Sequence, residues 1–159
     1  MHRVQRTIGE LTYDQDAPVF TARDAVSRAL DAMCRGPCEA VIIVEGGEVV
    51  GIFTSRDFLF RVAATHKDPE QTPLGEVMTV RPERLRPRDS VCYAIERMAV
   101  RGFRNIPIVD DSGRPLGLLS IWNVMQHLGD VFDEIERVPV PVDALSDISS
   151  VTWLDIGGG

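Results

Sequence analysis

The chain has 159 residues, 44% of them hydrophobic, and a formal net charge of −7 at pH 7. That length and apolar content suffice to bury one core of ordinary size, whereas the absence of an apolar run of roughly 18 residues argues against a membrane span. The acidic balance argues against a general nucleic-acid binder, because phosphate binding requires clustered positive charge. The first residues lack the apolar stretch of a signal peptide, so we expect a cytoplasmic protein.

The first half of the chain alternates helical and strand patterns. Apolar residues recur at helical spacing from about Asp24 to Arg35, where Gly36-Pro37 ends the helix and Thr21 or Asp24 can cap its start. Two short apolar runs, Ala40 to Val44 and Val49 to Thr54, flank a Gly-containing turn and predict a β-hairpin.

A second helix follows the hairpin, from about Arg56 to Ala64, with Thr54 or Ser55 as its cap. Residues 67–73 are polar, contain prolines and show no periodicity, which indicates a surface linker. Beyond the linker the same series returns over residues 74–129, beginning with a short turn. The predicted elements of this half are the helix Ser90 to Val100, the strands Ile106 to Val109 and Leu116 to Ser120, and the helix Ile121 to Leu128.

The two halves read as copies of one unit. Arg23-Asp24-Ala25-Val26 matches Arg88-Asp89-Ser90-Val91 at an offset of 65 residues, and the same offset carries the first strand of the hairpin onto Asn105 to Val109. After one extra residue in the second turn, the aligned pairs are Gly51 with Gly117, Thr54 with Ser120, and Asp57 with Asn123. Such self-similarity predicts a tandem of two units, residues 1–66 and 74–129.

An acidic extension follows the repeat, over residues 130–159. Its first part is expected to prolong the last helix to about Arg137, before an extended segment that contains prolines. Residues 151–154 are a candidate strand or an anchor for a partner chain, and the terminal glycines are expected to fray.

The chain shows no pattern typical of a disulfide framework, a metal site or a catalytic group. Its three cysteines are an odd number and are expected to be reduced thiols. Cys34 and Cys38 are separated by Gly36 and Pro37, which break the helix that would place both thiols on one face. The three histidines are scattered, and no grouping of a nucleophile with a base carries a recognisable signature.

The segment from Gly51 to Asp57 has the chemistry of a nucleotide site. Gly51 lets a ligand approach the backbone closely, and Thr54 presents a hydroxyl at the end of the strand. The following helix N-terminus offers amide groups suited to phosphate, and Asp57 can accept hydrogen bonds from two ribose hydroxyls. The alternative is a structural role, in which Thr54 caps the helix and Asp57 favours its N-terminus, worth about 1 kcal/mol. The three residue types together favour the ligand site.

These motifs resemble the cystathionine β-synthase (CBS) domain, and their duplication resembles a Bateman module of two such domains. The resemblance runs from about Ile8 to Leu128 and depends on the Gly51-to-Asp57 motif, the strand Asn105-Ile106-Pro107-Ile108-Val109 and the segment Val77-Met78-Thr79. It implies an α+β fold of two tandem β-α-β-β-α units, packed sheet to sheet about a pseudo-twofold axis. Modules of this family commonly pair again, so it also implies a homodimer.

The resemblance further implies roles for individual residues. The family's aspartate at the position of Asp57 holds ribose hydroxyls, and its threonine or serine at the position of Thr54 contacts ribose or phosphate. Adenine packs near the first strand and the hairpin. The candidate ligand-binding residues are therefore Thr21, Ala40, Val41, Gly51, Ile52, Thr54, Arg56, Asp57, Arg104, Ile106, Pro107, Ser120 and Asn123.

The second copy of the motif is expected to bind more weakly than the first. Asn123 stands where the family prefers aspartate, and an amide lacks the charge that strengthens a hydrogen bond from a ribose hydroxyl. Arg104 and Arg56 are each either a phosphate-binding cation or a solvated surface residue. Trp122 could stack on a base, but packing against the other unit is the favoured use of its large apolar ring.

Together these features predict a stand-alone regulatory module, not an enzyme, that binds an adenosine-containing nucleotide in the cleft between the units. It would signal by a change of conformation or of dimer interface. The candidate ligands are AMP, ADP, ATP, S-adenosylmethionine and NAD, and no cofactor is obligatory. The alternative is a ligand-independent scaffold for homodimerisation or interaction. In either case the output acts through an unidentified regulated protein or through self-association.

Overall fold

A computed structural model of the chain describes residues 6–136, so the predicted extended segment that contains prolines and the candidate strand at residues 151–154 lie outside the described residues. The strands are β1 (Val19–Thr21), β2 (Ala40–Glu45), β3 (Glu48–Thr54), β4 (Thr79–Val80), β5 (Asn105–Val109) and β6 (Pro115–Ser120). The helices are α1 (Val26–Arg35), α2 (Ser55–Asp57), α3 (Leu74–Val77), α4 (Val91–Arg101) and α5 (Ile121–Glu136). A 3-10 turn, Ile8–Glu10, precedes β1, and α3 is the matching short turn of the second half.

Both predicted hairpins are present, and they repeat each other in detail. Strands β2 and β3 pair antiparallel with Ala40 opposite Thr54, and β5 and β6 pair with Asn105 opposite Ser120. Each hairpin has a register shift immediately after an isoleucine, Ile43 in the first and Ile108 in the second. These two isoleucines stand 65 residues apart, so the repeat read from the sequence is also a repeat of backbone irregularity.

The start of α1 differs from the predicted capping. The helix begins at Val26 with Ala25 at the N-cap position, and no side chain caps it. The carboxylate of Asp24 instead accepts hydrogen bonds from the backbone amide and the hydroxyl of Thr21, at 2.8 and 2.9 Å. These bonds, and then the nearby guanidinium of Arg28, lower the pKa of Asp24 below its ordinary value. Asp24 therefore stabilises the turn before the helix rather than the helix end.

The helix after the first hairpin is continuous but changes type. Thr54 caps α2, as predicted, because its hydroxyl accepts a hydrogen bond from the amide of Asp57 at 3.3 Å. The chain then continues as a π-helix from Phe58 to Ala63, which widens the helix just after the Asp57 position. Such π-helical segments are uncommon and are often found at functional sites.

Segments are exchanged between the two halves of the chain. Strand β4, which precedes the second hairpin, pairs antiparallel with β3 and completes the first sheet in the order β1-β2-β3-β4. In the same way Asp14, which precedes the first hairpin, forms an antiparallel bridge with Leu118 of β6. Leu85 forms a parallel bridge with Ile108, the counterpart of the parallel pairing of β1 with β2. Each hairpin is thus extended by the segment that leads into the other half.

Two apolar cores lie on opposite faces of the first sheet. Ile42 and other residues of one face pack with Val109 and Leu118, so the two hairpins meet sheet to sheet. Val41 and Phe53, on the other face, pack with Val62 and with residues of α1 and α3. Because alternate residues of a strand point to opposite faces, β2 is buried on both sides and is apolar at both. The predicted α+β fold of two tandem β-α-β-β-α units is confirmed.

The predicted linker does more than cross the surface. Most of residues 67–73 are exposed, yet Thr72 is buried and its carbonyl oxygen accepts a hydrogen bond from the amide of Val26 at 2.9 Å. The carbonyl oxygen of Pro69 likewise accepts from the amide of Ser27 at 3.0 Å. These bonds satisfy amides at the start of α1 that a helix leaves without intrahelical partners.

The chain divides into two compact units, Met1–His127 and Leu128–Gly159. All the strands described above lie in the first unit, which therefore contains both repeats. The division does not separate one repeat from the other, so the boundaries between them stay a prediction. The described part of the second unit continues α5 as far as Glu136, close to the predicted helix end. None of the helices within residues 6–136 combines the length and apolarity needed to cross a membrane.

Candidate functional site: two matched cavities at the hairpin ends

A cavity of about 490 Å³, here called cavity A, lies where the first hairpin ends. The first half contributes Ile52, Thr54, Arg56 and Asp57 to its wall. The second half contributes Thr79 and residues 81–83 from the segment around β4, and residues 101–105 at the turn between α4 and β5. The cavity therefore needs both halves.

Asp57 is the most constrained polar group in cavity A, with only 8% of its surface exposed. Its Oδ2 accepts hydrogen bonds from the backbone amide and the hydroxyl of Thr54, both at 2.9 Å. Its Oδ1 accepts a hydrogen bond from the hydroxyl of Thr79 at 3.0 Å and lies 3.5 Å from the guanidinium of Arg61. The structural role that the sequence left open is therefore present: Asp57 and Thr54 form a reciprocal cap.

A second cavity of about 320 Å³, here called cavity B, lies at the matching end of the second hairpin. Ser120 and Asn123 line it, as do Asp14 and Arg104. The oxygen of the Asn123 amide accepts hydrogen bonds from the backbone amide and the hydroxyl of Ser120, at 2.8 and 2.7 Å. Asn123 therefore repeats the cap made by Asp57, without the negative charge.

The backbone amides at the two helix starts beside the cavities are less available to a ligand than the sequence predicts. The amide of Ser55 donates to the carbonyl oxygen of Glu39 at 3.2 Å, and the amide of Asp57 donates to Thr54. At the second hairpin, the amide of Ile121 donates to the carbonyl oxygen of Arg104 at 2.7 Å. Since these amides already have acceptors, a phosphate in either cavity depends on side chains more than on the helix N-terminus.

The motif glycines face protein segments. A Cβ added to Gly51 would lie 2.4 Å from the sulfur of Met78, and one added to Gly117 would lie 2.4 Å from the carbonyl oxygen of Asp14. Neither glycine lines a cavity named above. The sequence predicted that a ligand approaches the backbone closely at Gly51. Met78 makes that close approach instead.

The other candidate residues fall into two groups. Five of the predicted residues line cavity A, and three line cavity B, with Arg104 common to both. Thr21, Ala40, Val41, Ile106 and Pro107, together with Gly51, line neither cavity. Ala40, Val41 and Ile106 are fully buried in the core, and the hydroxyl of Thr21 is bonded to Asp24. The site thus draws on the hairpin ends and not on the strand interiors.

Several lining residues were missed by sequence reasoning. Thr79, Arg61, Arg81 and Arg101 line cavity A, and Asp14, Tyr13 and Gln126 line cavity B. One usable signal was the repeat itself, because Thr79 and Asp14 stand 65 residues apart and belong to the two exchanged segments. Trp122 is 66% exposed and lines cavity B, so the favoured packing role predicted for its ring is not the one observed.

Cavity B also contains a buried thiol. Cys38 donates a hydrogen bond to Oδ2 of Asp14, and both residues line the cavity. Burial raises the pKa of the Cys38 thiol to about 12, and the Asp14 carboxylate adds to the increase. Cys34 and Cys92 are exposed. Among residues 6–136, no group of three or more His, Cys, Asp or Glu side chains is placed to hold a metal ion.

Comparison with known proteins places this geometry in one family. The model of the CBS domain matches residues 74–130. A relative in Schizosaccharomyces pombe, the meiotically up-regulated gene 70 protein, is 34% identical over 116 residues, which are 73% of this chain and 16% of that protein. The chain likewise spans 61% of the length of an uncharacterized Methanopyrus kandleri relative that is 27% identical.

Solved structures share the fold. CBSX2, solved in complex with AMP, has a TM-score of 0.67 at 21% identity and covers 79% of this chain and 98% of its own. The CBS domain pair of protein MJ0100, solved with 5-methylthioadenosine and S-adenosyl-L-methionine, has a TM-score of 0.70 at 19% identity, with the same coverage of 79% and 98%. The family match, the relatives and the shared fold together identify this chain as a CBS domain pair protein.

Proposed function

We propose that the chain is a regulatory module, not an enzyme, that binds an adenosine-containing nucleotide in cavity A. The observation that carries this proposal is the arrangement of the cavity, in which Thr54 and Asp57 of one half share a wall with Arg104 of the other. A carboxylate suits ribose hydroxyls and a guanidinium suits phosphate. The adenine-containing ligands named for the CBSX2 and MJ0100 structures support the same class of ligand.

The contacts of Asp57 suggest how binding could be transmitted. Its two oxygens already face four partners, so ribose hydroxyls compete with Thr79 and Arg61 for Oδ1. Arg61 also donates to the carbonyl oxygens of Val77 and Met78, at 3.1 and 2.7 Å. Replacing either partner changes the attachment of the segment that leads into the second half. Ligand binding would thereby favour one arrangement of the module over another, as regulation requires.

Nucleotide titration of the wild type and of Asp57→Ala tests the proposal. A ligand that binds only the folded state stabilises it by about 2.7 kcal/mol at 100 times its Kd, which thermal unfolding detects readily. We expect selective stabilisation by adenosine compounds over guanosine compounds, and loss of that response in Asp57→Ala. The matched control is Asp31→Ala, since Asp31 is exposed and lies 3.7 Å from Arg35, outside both cavities. An unchanged response in Asp57→Ala contradicts the proposed site.

A scaffold that needs no ligand is the second candidate function. It is favoured by a set of apolar side chains that are more than half exposed: Leu59, Phe60, Val80, Val100, Trp122 and Met125. Large apolar side chains at the surface become buried when copies of a chain associate, and on that ground we propose that the chain forms a homodimer. Sedimentation equilibrium with and without nucleotide separates the two functions. A dimer in the absence of any adenosine response favours the scaffold.

A further inference from the structure

Cavity A concentrates positive charge in an acidic protein. Five arginines and three acidic residues line it, a net formal charge of +2 in a chain whose overall charge is −7. The arginines are Arg56, Arg61, Arg81, Arg101 and Arg104, and the acidic residues are Glu39, Asp57 and Glu83. Like charges gathered around one cavity repel one another until an anion occupies it, so the cavity favours an anionic ligand.

Most of these arginines have no internal counterion. Arg61 lies 3.5 Å from Asp57, but among the side chains that the structure describes, those of Arg56, Arg81, Arg101 and Arg104 form no ion pair. Arg56 packs over the ring of Phe60, with 5.6 Å between its guanidinium carbon and the ring centre. Arginines elsewhere in the chain commonly do have partners, as Arg35 has Asp31 and Arg88 has Asp111. Among the described side chains outside the cavity, Arg23, Arg84 and Arg114 also form no ion pair. What distinguishes cavity A is that four unpaired guanidinium groups line a single cavity.

Cavity B has the opposite balance. Asp14 and Glu39 outnumber its one arginine, Arg104, which gives a net formal charge of −1. The two cavities have matching caps, so the difference lies in the residues that surround those caps. A polyanion is accordingly favoured in cavity A alone.

We infer that cavity A binds a nucleoside polyphosphate, with Arg56, Arg81, Arg101 and Arg104 around the phosphate chain. This inference rests on the nucleotide site proposed above. A monophosphate carries about −2 at neutral pH and would leave roughly half of these four charges without a partner, whereas each further phosphate adds roughly one negative charge. The sulfonium of S-adenosylmethionine adds a positive charge and is disfavoured. The order of affinity is ATP, then ADP, then AMP, then adenosine and S-adenosylmethionine.

Calorimetric titration of the full chain with these five ligands tests the order. We expect ATP to bind at least about tenfold more tightly than AMP, and the difference to shrink as salt is added. In Arg81→Gln/Arg104→Gln, ATP affinity falls by roughly tenfold or more for the pair, while adenosine affinity is unchanged. The matched control is Arg35→Gln/Arg88→Gln, which removes the same two charges from exposed ion pairs outside the cavity and should leave the ATP affinity within about twofold.

The outcomes separate this inference from the proposal beneath it. If adenosine and AMP bind as tightly as ATP, or if the control pair loses as much ATP affinity as the cavity pair, the polyphosphate inference is wrong and the adenosine site stands. If no adenosine compound binds while inorganic tripolyphosphate does, the nucleotide site itself is wrong, and the inference fails with it.

Discussion

The hydroxyl of Thr79 donates a 3.0 Å hydrogen bond to Oδ1 of Asp57, and so joins the start of the second half to the helix cap of the first half. Thr79 lies in β4, which completes the first sheet, and Asp57 ends the short helix α2. The bond therefore connects the two parts of the chain whose relative arrangement we propose to depend on a ligand in cavity A. It is also a bond that can be removed without changing side-chain shape.

Thr79→Val should lower the free energy of unfolding by about 1 to 2 kcal/mol. The substitution keeps the shape of the side chain but removes a hydrogen bond to a carboxylate that is nearly buried. Urea unfolding measures the change. Thr12→Val is the control, because Thr12 is exposed and makes no hydrogen bond within the described residues, so its loss should be small. Equal losses in the two variants would contradict the assigned role of Thr79.

Gly117→Ala should destabilise the protein more than Gly51→Ala does. The added methyl group at position 117 meets the backbone carbonyl of Asp14, which is fixed by its bridge to Leu118, whereas at position 51 it meets the flexible side chain of Met78. We expect a loss of about 1 to 3 kcal/mol for Gly117→Ala, measured by urea unfolding, and a smaller one for Gly51→Ala. Gly129→Ala, where a Cβ meets nothing within 4 Å, is the control. A larger loss of stability in Gly51→Ala than in Gly117→Ala would show that the side chain of Met78 cannot move aside to accept the added methyl group.

Asn123→Asp should strengthen adenosine binding in cavity B. The new carboxylate keeps an acceptor for the amide and the hydroxyl of Ser120 and adds the charge that strengthens a hydrogen bond from ribose. Calorimetry should show the number of adenosine molecules bound per chain rising from about one towards two. Gln126→Glu adds the same charge to the same cavity away from the cap and should have no such effect. An equal gain of adenosine binding in both variants would show that the added charge, and not its position in the cap, is responsible.

Cys38 should resist alkylation in the folded protein. Burial and the Asp14 carboxylate raise its pKa to about 12, so little reactive thiolate is present at pH 8, whereas Cys34 and Cys92 are exposed. Mass spectrometry after brief treatment with iodoacetamide should show modification at the two exposed positions first. Asp14→Asn removes the carboxylate that contributes to the raised pKa of Cys38, and should therefore speed alkylation of Cys38. Rapid modification of Cys38 in the wild type would refute the assigned environment.

The same thiol predicts a pH dependence of stability. Its folded pKa lies above the ordinary value of 9.0, so the folded state holds the proton more tightly than the unfolded state does. Its contribution to stability is therefore complete below pH 9 and is lost as the pH rises from 9 towards about 12. The difference in unfolding free energy between the wild type and Cys38→Ala should become less favourable to the wild type over that range. A constant difference would contradict the raised pKa.

Local patterns were enough to predict the elements and much of the site. Two short apolar runs on either side of a turn predicted each hairpin. Thr54, followed by Asp57 three positions later, predicted the cap at the end of the first hairpin, because capping depends on residues close in sequence. Asn123 was recognised as the counterpart of Asp57 for the same reason, and it forms the matching cap; its weaker binding stays a prediction. At Thr21 and Gly51, where the sequence predicted ligand contacts, protein groups occupy the positions. The hydroxyl of Thr21 is bonded to Asp24, and the side chain of Met78 fills the space beside Gly51.

What the sequence by itself determined is the repeat: two copies of one order of elements, each ending in a hydroxyl and a carboxylate or amide at fixed spacing. Only the tertiary structure decided which segment completes which sheet, and with it the charge of each cavity. Strand pairing is made by backbone groups that every residue carries, so side-chain patterns in β4 could not show that it joins β3 rather than the second hairpin. That pairing brings Thr79 to Asp57 and gathers the arginines of three separate segments around one cavity.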